Sequence, residues 1–193
     1  MRPFRAAIAT AALLLTVCAG QLQSSTSRQT AAEAQPITEP TANPADVASL
    51  DAILRATYDT ISGPAGRQRD WNRFRSLFVS GARLAAVVPN HQGAFRTVVL
   101  SPEDYIRRDD PYFQKHGFFE REIARRTQRF AGMAQVFSTY ESRHAADDPN
   151  PFERGINSFQ LMNDGTRWWI VSIFWEGESP ESLIPQEFLH GVN

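Results

Sequence analysis

The chain has 193 residues, a formal net charge of −1 and a single cysteine. The near-neutral balance gives no electrostatic reason to expect nucleic acid as a partner. One thiol cannot make an intramolecular disulfide framework, so burial has to hold the fold together.

The first residues read as an export leader. Arg2 and Arg5 form a basic start, and Ala6 to Val17 is almost wholly apolar. That run is too short for a membrane span. Val17-Cys18-Ala19 places small residues for cleavage after Ala19, giving a signal peptide over 1–19 and a periplasmic or secreted destination in a bacterium. Leu15-Thr16-Val17-Cys18 also resembles a bacterial lipoprotein box, with valine where a smaller residue is usual. Lipidation of Cys18 is the alternative, and the only route by which a membrane enters as a partner. Cleavage after Ala19 removes Arg2, Arg5 and Cys18, which shifts the charge of −1 to about −3 and leaves no thiol for catalysis or metal binding.

Residues 20–43 are rich in Gln, Ser, Thr, Ala and Pro and read as a flexible linker. The domain is expected over 44–180, with a tail over 181–193. Asn43-Pro44 starts a helix: Asn43 caps, and Pro44 fits the first turn. Val47, Leu50, Leu54, Tyr58 and Ile61 fall on one face, and Ser62-Gly63-Pro64 stops the run. A second helix is predicted from Asp70, carrying Trp71, Phe74, Leu77 and Phe78 inward and ending at Ser80-Gly81. Ala82 to Val88 and Phe95 to Leu100 are extended pieces around a turn at Pro89 to Gly93. Ser101-Pro102-Glu103-Asp104 opens a third helix, which Pro111 kinks or ends before Gly117.

From Phe118 the period changes to two. Strands are predicted over Phe118 to Arg129 and Gln135 to His144, turning at Phe130-Ala131-Gly132. Ala145 to Arg154 reads as a loop. Asn163-Asp164-Gly165 then joins two aromatic-rich runs, Gly155 to Met162 and Thr166 to Trp175, as a hairpin. Ile184 to Leu189 is expected to cover a sheet edge.

The order of these elements resembles the NTF2-like, cystatin-like superfamily over roughly 44–180. Three fragments carry the likeness: Phe74-Arg-Ser-Leu-Phe78, Ile156-Asn-Ser-Phe-Gln-Leu-Met-Asn-Asp-Gly165 and Arg167-Trp-Trp-Ile-Val-Ser-Ile-Phe-Trp175. More narrowly, the chain resembles exported bacterial members of uncharacterised role. The resemblance implies an α+β cone, in which N-terminal helices pack on a strongly curved antiparallel sheet. The family hosts many functions on one scaffold. Its SnoaL-like and ketosteroid-isomerase-like enzymes pair a carboxylate base with tyrosine and aspartic acid donors. Tyr58 matches the donor tyrosine, and Asn157 stands where the aspartic acid would be. The base would fall near Ala85 or Ala86, and neither can act as one.

The same resemblance points Val171, Ile173 and Trp175 into the pocket. Alternation adds Phe159 and Leu161 to the face of Asn157. The expected ligand-binding set is therefore Tyr58, Asn157, Phe159, Leu161, Val171, Ile173 and Trp175: apolar walls with a few polar groups. Glu120 and Glu122 share one side of a charged strand. They read either as an acid/base pair or, with Arg121, Arg125, Arg126, Glu141 and Arg143, as an ion-pair ladder on a wet face. The ladder is the favoured account. His91, His116, His144 and His190 show no metal-ligand spacing, and no cofactor motif is present.

Three functions follow: a pocket for a small apolar molecule without catalysis; an isomerase, cyclase or dehydratase with a displaced base such as Glu120, Glu122 or His144; or a structural, protein-binding module. Adjacent Trp168 and Trp169 point to opposite faces and make a homodimer through the sheet face the expected assembly.

Overall fold

The computed structural model describes residues 40–89 and 94–191. The expected leader, Cys18 and most of the expected linker lie outside the described residues, as does all of the expected Pro89-to-Gly93 turn except Pro89. From Asn43 onward, local chemistry sets the helices. Asn43 caps α1 (Pro44–Val47), its side chain accepting from the Ala45 amide at 3.0 Å. Ser49 then caps α2 (Leu50–Ile61), accepting from the Ala52 amide at 3.1 Å. One continuous helix was expected here, but a second competent cap at Ser49 divides it. The helix predicted from Asp70 is a single turn, α3 (Trp71–Arg75), capped by Asp70. Phe78 already belongs to β1 (Phe78–Pro89), whose early irregularity is absorbed by Gly81 at φ +79°. After β2 (Phe95–Leu100), α4 (Pro102–Lys115) starts from a complete capping box between Ser101 and Asp104. It continues through Pro111, which is exposed.

The remaining strands are β3 (Phe119–Phe130), β4 (Met133–Arg143), β5 (Glu153–Asn163) and β6 (Trp168–Gly177). The loop predicted up to Arg154 thus ends at Phe152. The six strands form one sheet in the order β2-β1-β6-β5-β4-β3. This corrects the strongly curved antiparallel sheet expected above. The sheet is mixed, because β1 runs parallel to β6 while every other neighbour is antiparallel. It is also open rather than strongly curled, with β2 and β3 as its two edges. The parallel pair has a topological cause. α4 carries the chain from one edge strand, β2, to the other, β3, and the meander from β3 to β6 returns to β1 in the same direction. Such a connection needs a crossover rather than a hairpin.

α2, α3 and α4 pack on one face of the sheet. Ile53 and Leu54 from α2, Phe74 and Leu77, and Val136, Phe159, Leu161 and Ile170 from the strands are fully or nearly fully buried between the layers. The other face carries the ion pairs Arg121–Glu141–Arg143 and Arg126–Glu187. It also receives the chain end. A 3-10 turn (Gln186–Phe188) packs Phe188 on Phe137 at 5.4 Å, and Thr139 donates to the Phe188 carbonyl at 2.5 Å. This segment was expected to cover a sheet edge; it lies over the edge strand β3 and its neighbour β4.

One cation organises the loop after α2. The guanidinium of Arg69, with the residue only 4% exposed, donates to the carbonyls of Ile61, Gly63, Pro64 and Arg67 at 2.7–3.2 Å. A positive charge at a helix C-terminus also suits the helix dipole. Gly63 then exchanges two backbone hydrogen bonds with Phe118, at 2.7 and 3.0 Å, which joins α2 to the start of β3. Arg69→Met keeps the volume and removes every donor. Buried carbonyls left without partners predict a loss of roughly 3 kcal/mol, measured as a lower midpoint in urea unfolding.

Candidate active site

The inner face of the sheet is not uniformly apolar. Its register places side chains in rows across β3, β4 and β5. Glu120 lies opposite Ser142, which lies opposite Glu153. One row on, Glu122, Tyr140 and Gly155 align. The next row holds Arg125, Ser138 and Asn157, followed by Trp175 on β6 and Ala86 on β1. Further in stand Val136, Phe159, Ile173 and Leu84. A bulge at Ile123 shifts the parity of β3, so Glu122 and Arg125 both face inward and meet at 2.6 Å.

Glycine makes one of these rows possible. A Cβ at Gly155 would collide with the Tyr140 hydroxyl and the Glu176 carbonyl. Its absence lets Tyr140 lean across the strand and donate to Glu153 at 2.7 Å.

Between this face and the helices lies a cavity of about 330 Å3. Tyr58 from α2, Tyr105 and Phe113 from α4, Phe118, Phe159 and Trp175 supply aromatic walls. Glu120, Tyr140, Glu153 and Asn157 supply polar groups, and Arg108 and Asp109 also line it. Of the seven expected ligand residues, Tyr58, Asn157, Phe159, Ile173 and Trp175 border this cavity. Leu161 shares their face but sits in the core away from it. Val171 does not face inward. It is the unpaired residue of a bulge in β6, since Gln160 pairs with Ser172 and Leu161 with Ile170, and it is 40% exposed. Strict alternation fails there, which makes Ile170 rather than Val171 the inward neighbour.

Tyr58 and Asn157 meet. The Asn157 Nδ2 donates to the Tyr58 hydroxyl at 3.2 Å and to a Glu120 oxygen at 3.3 Å. The Ser138 hydroxyl donates to Glu122, so the 2.6 Å contact between Tyr58 and Ser138 uses the Tyr58 proton. Burial, and next the nearby Glu120 charge, push the Tyr58 hydroxyl far above its usual range. Tyr58 is therefore a neutral phenol whose proton is committed to Ser138. This differs from the oxyanion-donor role that the resemblance implies for it. Glu122 is likewise occupied, by Ser138 and by Arg125, which in turn reaches Asp51 at the surface.

Glu120 is the group that the favoured sequence reading misplaced. It is not part of the outer ladder. Its oxygens accept from Ser142 at 3.0 Å and from Asn157, both neutral donors, and it makes no ion pair among the described residues. Glu120 is half-buried by accessible surface and lines the cavity. Burial, reinforced by the charge of Glu153 and opposed by the two hydrogen bonds, raises its carboxyl to about 7. A signal for this was present in β4. Ser138, Tyr140 and Ser142 put a hydroxyl at every second position, which marks a polar stripe on the inward face. His144, the other displaced base considered, stacks on Phe152 at 4.2 Å, is exposed, and does not line the cavity. Ala85 and Ala86 stand on β1, where the resemblance places a carboxylate, and Ala86 packs in the row of Trp175. Among the described residues no cluster of His, Cys, Asp and Glu could hold a metal ion.

No family model matches the chain, and no curated protein matches it. Solved structures do. A cystatin-like protein of unknown function from Nostoc punctiforme is similar at a TM-score of 0.50 and 11% identity, over 66% of this chain and 90% of that one. A putative dehydratase of the NTF2-like family from Streptomyces avermitilis is similar at a TM-score of 0.50 and 11% identity, over 69% of this chain and 96% of that one.

The raised carboxyl has a consequence for stability. Unfolded, Glu120 titrates near 4.5; folded, it titrates near 7. The folded state therefore binds this proton more tightly, and its contribution is fully present below pH 4.5 and lost as pH rises to 7. The shift is worth roughly 3 kcal/mol. Glu120→Gln keeps the shape without the charge. It is predicted to unfold at a higher temperature than wild type at pH 8, and to lose the wild-type decline between pH 4.5 and 7 in a pH series of melting curves.

With this geometry in place, the chain is assigned the NTF2-like, cystatin-like fold, an α+β arrangement with a mixed sheet and an aromatic-lined pocket.

Proposed function

We propose that this protein is an enzyme that moves a proton on a small, largely apolar substrate held in the cavity, with Glu120 as the general base and acid. The observation that carries this reading is a carboxyl raised to about 7 and lining an aromatic cavity, with neutral donors and, among the described residues, no ion pair. A group with that affinity is part ionised at neutral pH, the condition in which it can both take and return a proton. A purely binding pocket for an apolar molecule has no need of such a carboxylate, which costs stability at neutral pH. This favours the catalytic reading over binding alone.

The reaction class that fits is proton transfer at a carbon next to a carbonyl. The Glu120 carboxylate takes the proton, and the C–H electron pair moves into the carbon–carbon bond as the carbonyl oxygen gains charge. The protonated Glu120 then returns the proton to the same carbon or a conjugated one. Asn157 and Ser142 hold the carboxylate in place through the whole cycle. Isomerisation, cyclisation and dehydration can all begin with this step.

1-Tetralone is a suitable probe, being an aryl ketone with exchangeable α-hydrogens and small enough for a cavity of about 330 Å3. In D2O, wild type is predicted to accelerate deuterium incorporation at the α-carbon, followed by proton NMR. Glu120→Gln is predicted to lower that rate at least about 100-fold. An equal rate in the two proteins would refute the role of Glu120.

A further inference from the structure

We infer that the hydroxyl of Tyr105 is the hydrogen-bond donor that receives the polar oxygen of the substrate, so that the ligand is a molecule with a carbonyl or similar acceptor. This rests on the catalytic reading of the cavity and adds the group that selects what enters it.

The Tyr58 proton goes to Ser138 and the Tyr140 proton goes to Glu153. The Asn157 amide is used by Tyr58 and Glu120. Tyr105 also lines the cavity, yet its hydroxyl makes no hydrogen bond among the described residues. Among those residues no fully buried side-chain nitrogen or oxygen lacks a partner. The unbonded hydroxyl of this half-buried tyrosine therefore reaches accessible space, and the space its residue lines is the cavity. A donor left free at an apolar site is what a ligand oxygen can satisfy.

The ring is held firmly. It stacks on Phe74 at 5.5 Å and 24°, and the Arg108 guanidinium lies 5.9 Å over it. The capping box at Ser101 and Asp104 fixes the helix turn from which it projects. A rigid aromatic ring positions its hydroxyl at little entropic cost. Burial, then the charges of Asp109 and Glu120, hold this hydroxyl well above the ordinary tyrosine range, so it stays protonated and can donate at any working pH. Tyr105 and Glu120 line the same cavity, which places the donor and the base at one site. Tyr112 also lines the cavity without a side-chain hydrogen bond among the described residues, but it is more exposed and packs on His116 at 4.6 Å, which makes it a rim group.

The test compares 1-tetralone with tetralin, which has the same rings and no carbonyl. Tyr105→Phe is predicted to weaken ketone binding roughly 5- to 10-fold, the size of one neutral hydrogen bond, and to leave tetralin binding and the melting temperature unchanged. The infrared carbonyl stretch of bound ketone should lie at lower frequency in wild type than in the variant, a signature that loss of packing would not give. Equal effects on both probes, no shift of the carbonyl band, or no binding of the ketone to wild type would overturn the inference. The two claims fail separately. If Glu120→Gln abolishes exchange while Tyr105→Phe shows no difference between probes, the base stands and the donor falls. If Tyr105→Phe discriminates while Glu120→Gln exchanges normally, the catalytic reading falls.

Discussion

One side-chain amide constrains the inner face of this sheet. Asn157 donates to the hydroxyl of Tyr58 and to the carboxyl of Glu120, so a helix and an edge strand are referred to a single point on β5. The directions of the other hydrogen bonds are set from the far end, where the Glu122 carboxylate accepts from Ser138. Tyr58, accepting from Asn157, sends its proton to Ser138; Ser138 sends its own to Glu122; and Glu122 closes on Arg125. That chain ends in a cation. The branch to Glu120 does not. Two glutamates two residues apart thus meet opposite fates: one is an ordinary member of a salt-bridged network, and the other keeps a carboxyl near 7 in an aromatic cavity.

Two bulges decide which side chains take part. The extra residue at Ile123 turns Arg125 inward, where it can neutralise Glu122. Regular alternation would have placed Ala124 on that face. The extra residue at Val171 turns Ile170 into the core and leaves Val171 outside, while Ile173 and Trp175 remain at the cavity. Bulges re-aim side chains at the cost of one unpaired residue, and here they separate a polar stripe near β3 from the apolar wall near β6.

These details explain what the sequence could and could not reveal. Caps at Asn43, Asp70 and Ser101 are local chemistry and mark helix starts directly. The convergence of Tyr58 with Asn157, and the cavity-facing positions of Phe159, Ile173 and Trp175, follow from helical spacing, strand parity and resemblance of fold. Strand direction was not legible, because no local signal states that β1 pairs parallel to β6. Phe74 to Phe78 fits a helix and a strand equally well as a short apolar run, and the hydrogen bond from Ile170 to Leu77 settles it. Glu120 was misplaced for a different reason. Charge density in Glu120 to Arg129 suggests a wet face, whereas the register puts arginine beside Glu122 and none beside Glu120.

Glu120 makes no ion pair among the described residues, and its titration shows whether its carboxyl behaves accordingly. Carbon-13 NMR of the glutamate side-chain carboxyls, with Glu120→Gln used to assign the resonance, reports the protonation of this one group as pH is varied. The predicted midpoint is near 7. A midpoint near 4.5, the ordinary glutamate value, would mean that Glu120 is solvated or paired like its neighbours, and that the cavity has no base.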